Sequence, residues 1–78
     1  MNVANENEIY PTISFKISSE IERKPNGKFV WAVEIHEQAS DSFTRWQSDA
    51  MDSKKDITLK MLAEFPKKLE ELYNELEP

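Results

Sequence analysis

The sequence predicts an α+β fold: a three-stranded antiparallel β-meander with one C-terminal α-helix packed on one face, in the order β-β-β-α. Three observations carry this. Residues 12–23 and 28–37 alternate apolar and polar side chains with period two, the signature of half-buried strands. A weaker alternation covers residues 42–51. From residue 53 the period becomes helical, with Ile57, Met61, Leu62, Phe65, Leu69, Leu72, Tyr73 and Leu76 on one arc.

In the first strand Ile13, Phe15, Ile17 and Ile21 share one parity, with small Ser19 among them. Lys16, Ser18, Glu20 and Glu22 share the other. In the second strand Phe29, Trp31, Val33 and Ile35 face one way, and Lys28, Val30, Ala32, Glu34 and His36 the other. The chain's one glycine lies between them, in Lys24-Pro25-Asn26-Gly27. A two-residue Asn-Gly turn would set odd positions against even ones and split the apolar face. A type I turn over Pro25-Asn26, with Gly27 as a left-handed bulge, avoids this. It pairs Lys24 with Lys28, Ile21 with Trp31, Ser19 with Val33 and Ile17 with Ile35. Trp31 then belongs under the helix.

A four-residue loop over 38–41 pairs Ile35 with Thr44 and Val33 with Trp46. Trp46 is expected inside and Phe43 outside or at an edge, unless a bulge reverses them. Ser53-Lys54-Lys55-Asp56 has the pattern of a helix-starting capping box. Pro66 removes one backbone donor inside the helix, so a kink or short break is expected near it. Residues 1–8 read as a flexible tail, and 9–78 as one small domain.

Composition narrows the function. With 38% hydrophobic and 32% charged residues in 78, the chain suits one modest core under a charged surface. It has no cysteine, so disulfides and zinc-thiolate sites are excluded. The N-terminus lacks the basic and apolar regions of a signal peptide, which sets a cytoplasmic expectation. No apolar run has the length of a membrane span. The net charge is −5, with signs mixed along the helix. That patterning suits a solvated face better than a nucleic-acid mimic.

Catalytic constellations are not evident. His36 is the single histidine, and Glu34 and Glu37 nearby do not supply the three or four ligands a metal needs. No G-x-S-x-G elbow or phosphate-cradling glycine loop occurs. Glu70, Glu71, Glu75 and Glu77 lie on the helix's solvated side rather than across a cleft. The chain is therefore expected not to be an enzyme and to need no cofactor.

The outer sheet face remains. Lys16, Lys28, Val30, Ala32, Phe43, Arg45 and Gln47 are the candidate partner-binding residues, with Val30 and Ala32 beside Arg45 as an apolar centre. The expected function is a small non-enzymatic protein-protein interaction or regulatory domain that binds another protein or itself as a homodimer. The outer edge strand offers a second route, by accepting a peptide strand. The alternative is a nucleic-acid-binding module using Lys16, Lys28 and Arg45 on the same face.

Asn26-Gly27-Lys28-Phe29, Thr44-Arg45-Trp46 and Ser53-Lys54-Lys55-Asp56 together distantly resemble the amino-terminal arm-binding domain of tyrosine recombinases. The resemblance covers about half the chain. It implies three strands followed by a helix, with the sheet entering the major groove. Glu20, Glu34 and Asp49 depart from it by placing carboxylates where phosphate would lie.

Overall fold

The computed structural model describes residues 12–77. The tail expected over residues 1–8 lies outside the described residues. The elements are β1 (Phe15–Arg23), β2 (Phe29–Glu37), β3 (Ser42–Gln47) and α1 (Lys54–Leu76). The strands form one antiparallel sheet in the order β1-β2-β3, and α1 packs on one face. This is the β-β-β-α arrangement that the two periodicities predict.

The first hairpin turns as its single glycine requires. Gly27 adopts φ +84°. Its N–H donates to the Lys24 carbonyl at 2.9 Å, and the Lys24 N–H donates to the Lys28 carbonyl at 2.8 Å. Asn26 Oδ1 accepts from the Lys28 N–H at 3.0 Å and braces the corner. The register follows: Ile21 faces Trp31, Ser19 faces Val33 and Ile17 faces Ile35.

The second hairpin pairs Ile35 with Thr44 and Val33 with Trp46. Asp41 closes its loop at φ 57°, a left-handed conformation that aspartate tolerates better than most residues. A bulge is present, but it falls beyond Trp46 and leaves that residue on the inner face. Ala32 pairs with Gln47, whereas Phe29 pairs with Met51 and not with Ala50, so one residue is extra between them. Ser48 makes the step. Its Oγ accepts from the Trp31 N–H at 2.9 Å, while its own N–H donates to the Trp31 carbonyl at 2.8 Å. The slip brings Met51 against the core and leaves Ala50 exposed.

α1 begins at Ser53, whose side chain accepts from the Asp56 N–H at 3.2 Å. It runs unbroken through Pro66 to Leu76, so of the kink or short break expected there the break does not occur. Pro66 deprives the Leu62 carbonyl of its donor. Both residues are exposed, and solvent can take the donor's place.

Trp31, Val33, Ile35, Ile57 and Leu72 form the buried core. Trp31 meets Trp46 edge-on at 5.1 Å and Phe65 at 6.4 Å. Its indole N–H donates to Ser19 Oγ at 2.9 Å, which gives a polar residue a reason to sit on the inner face of β1. The core is off-centre. The short connection 48–53 holds α1 near the strand it leaves, so α1 packs on β2 and β3. The inner face of β1 is left largely unroofed.

Candidate partner-binding surface

The outer face does not present the apolar centre expected from the sequence. Val30 and Ala32 are only 3% and 4% exposed. Both are short side chains on the central strand, flanked by longer ones. Arg45 on β3 donates from Nε to Glu34 at 2.9 Å and reaches across the sheet to Glu22 on β1 at 3.4 Å. Glu22 also holds the Lys24 ammonium at 3.2 Å. Ala32 lies on the strand between Arg45 and Glu22, so this charged bridge passes over it. The patch expected around Val30 and Ala32 is therefore closed by the chain's own ion pairs.

The other expected site residues are scattered. Lys28 sits at the hairpin, 3.6 Å from Asp52. Gln47 is exposed at the end of β3. Lys16 and Phe43 do come together, because they flank His36 on neighbouring strands. Phe43 meets the His36 ring edge-on at 6.2 Å, and His36 Nε2 lies 2.8 Å from the Asp41 carboxylate. Lys16, His36 and Phe43 line, with Ser18 and Glu34, a hollow of about 500 Å³ whose polar side chains are partly held by the chain's own contacts.

The opposite side of the sheet holds an open apolar surface. Ile17 and Ile35 face each other across β1 and β2 on the same inner face, yet Ile17 is 50% exposed and Ile35 only 4%. Between them and the helix runs a groove of about 390 Å³, lined by Phe15, Ile17, Ile35, Leu69, Glu70 and Tyr73. A second hollow continues along the same flank of α1, between Ser19 and the side chains of Met61, Leu62, Phe65 and Pro66. Exposed Ile13 and Leu62 extend the apolar strip at its margins.

Tyr73 marks one end of the groove, with Phe15 edge-on at 6.1 Å. Its hydroxyl donates to Glu77 at 2.6 Å. That hydrogen bond and the charge of Glu77 raise the phenol's pKa, so Tyr73 stays neutral at physiological pH. Glu70 and Glu77 give this end of the groove an acidic margin. The arrangement can bury apolar side chains of a partner.

Sequence periodicity misses this surface because Phe15 and Ile17 have the correct parity for a core. What decides it is lateral placement: the short 48–53 connection keeps α1 mainly over β2 and β3, and α1 meets Phe15 of β1 through Tyr73. Among the described residues no three histidine or acidic side chains are gathered to hold a metal ion, and no helix is long and apolar enough to cross a membrane. No family model, curated protein or solved structure matches this chain.

Proposed function

We propose that the chain is a non-enzymatic protein-protein interaction domain whose docking surface is the groove between β1 and α1. The observation that carries this reading is the unroofed inner face of β1, where Phe15 and Ile17 stand exposed beside Leu69 and Tyr73. A continuous apolar strip with a polar rim is the form that partner-binding surfaces take. The outer face supports binding less well, since its small apolar side chains are buried under ion pairs. Nucleic-acid binding loses its main residue there, because two carboxylates share the Arg45 guanidinium. The cysteine-free composition fits a reducing compartment, so the partner is sought in the cytoplasm.

Site-specific photo-crosslinking in cells tests the reading. A photoreactive phenylalanine at Ile13 or Leu62 should give discrete protein adducts, while the same probe at Gln47 on the outer face should not. Adducts confined to Gln47, or none at the groove positions, would overturn it.

A further inference from the structure

We infer that the groove side of the molecule is occupied by a second copy of this chain, paired antiparallel through β1 about a two-fold axis at Ser18. This rests on the docking reading above and names its partner. The backbone prepares the edge. Lys24 donates to the Lys28 carbonyl, and Gln38 donates to the Ser14 carbonyl, so the even-numbered residues along β1 direct their backbone groups toward β2. In an antiparallel ladder the odd-numbered residues then direct theirs outward. Among the described residues no strand lies on that side of β1. The edge is 9 residues long, carries no proline, and bears exposed apolar side chains on its inner face. A free edge of this kind is a template for another strand.

Charge selects both the occupant and the register. Only registers that set odd residues against odd ones keep the two apolar faces together. An axis at Lys16 or at Glu20 would set like charges against each other. An axis at Ile17 would leave Lys16 opposite a serine. An axis at Ser19 would set Lys16 opposite Glu22, which already holds Lys24 at 3.2 Å and Arg45 at 3.4 Å. An axis at Ser18 sets Lys16 opposite Glu20 of the second copy, and symmetry repeats the pair. Among the described residues neither Lys16 nor Glu20 takes part in an ion pair within the chain. Both would fall at non-hydrogen-bonded positions, where opposing side chains come closest. On the inner face Phe15 meets Ile21 of the second copy, and Ile17 meets Ser19. The contact is isologous, so it closes at two chains and does not propagate.

The test combines oligomeric state with charge reversal. Light scattering and sedimentation equilibrium should show a concentration-dependent dimer. Lys16→Glu and Glu20→Lys should each weaken it by about tenfold or more, because each turns two attractive cross-strand pairs repulsive. The double exchange Lys16→Glu/Glu20→Lys should restore it. Both positions are exposed, so circular dichroism of each variant should remain that of the folded chain. Amide exchange supplies a second readout. The N–H groups of Ile17, Ser19 and Ile21 should gain protection as concentration rises, while those of Ser18 and Glu20 should already be protected in the monomer. A monomer at every concentration, a dimer indifferent to either reversal, or a double exchange that fails to restore pairing would overturn the inference. Groove adducts formed by a strictly monomeric protein would sink self-pairing while sustaining the docking reading; a dimer that obeys the charge reversals without groove adducts would sustain the edge pairing and sink the groove as the docking surface.

Discussion

Ile17 and Ile35 are the same residue type, on the same face, directly opposite each other in neighbouring strands, yet one is half in solvent and the other is not. They mark the boundary between two halves of the molecule. On the β3 side α1 closes over the sheet, and the Lys68 ammonium sits 4.0 Å from the Trp46 ring centroid as an added roof. On the β1 side the same sheet face is covered less: Ile21 packs against the core, while Phe15 and Ile17 stand exposed. Parity determines which way a side chain points. Lateral placement of the second layer determines whether anything meets it there. Here the second condition is met for β2 and β3 and fails over much of β1.

Truncating the two isoleucines should separate the two halves most strongly. Ile35→Ala should cost about 2–5 kcal/mol in urea unfolding, the range for a buried aliphatic truncation. Ile17→Ala should cost below about 1 kcal/mol in dilute solution, since little packing is lost where half the side chain is already in water. Equal costs would mean that the β1 side is filled by the chain's own fold, and the groove would vanish as a docking surface.

The hairpin that presents β1 gives a smaller effect. Gly27→Ala should cost about 1–2 kcal/mol from its left-handed backbone alone. An added Cβ there meets nothing within 4 Å, so crowding does not contribute. Gly27→Asn should recover part of the loss. A neutral Gly27→Ala in the same unfolding assay would contradict the bulge turn and hence the register of β1.

On the closed side, Lys68→Ala should cost about 1 kcal/mol through the lost contact with Trp46. Lys68 also donates to Glu71 at 2.8 Å, and this bond and charge hold the Glu71 carboxyl below its ordinary pKa. A lowered carboxylate pKa adds stability above the ordinary carboxylate range, and that stability is lost as pH falls through the lowered value. Lys68→Ala should therefore raise the Glu71 pKa in an NMR titration. Part of its destabilisation should fade in acid. A Glu71 titration unchanged by the substitution would show that the pair does not persist in solution.

Much of this architecture is legible in the sequence, because one glycine and two strand parities leave few consistent registers. Gly27, Trp31 and Trp46 occupy the positions that reasoning assigns them. Three features were not legible, each for a physical reason. The bulge at Ser48 exchanges Met51 for Ala50 on the inner face, and a single serine hydroxyl directs it. Val30 and Ala32 are covered by a bridge between residues far apart in sequence, Glu22 and Arg45. The exposure of Phe15 and Ile17 depends on where α1 lies across the sheet, and hydrophobic period carries no information about that. Of the candidate binding residues, Lys16 alone enters the self-pairing proposed for β1, and through an edge contact rather than a face.

Both tryptophans of the chain lie in the closed half, edge-on to each other, with the Trp31 indole bonded to Ser19 and its backbone bonded to Ser48. Trp31 thereby joins all three strands and touches α1 through Phe65. Intrinsic tryptophan emission is accordingly a reporter of global unfolding and a poor reporter of what docks beside Phe15. An occupant beside Phe15 and Tyr73 would meet neither indole directly, whereas one reaching the adjoining hollow would meet Ser19 and Phe65, the neighbours of Trp31. Tyr73, whose ring lines the groove and whose hydroxyl is tethered to Glu77, is the chromophore to watch for it.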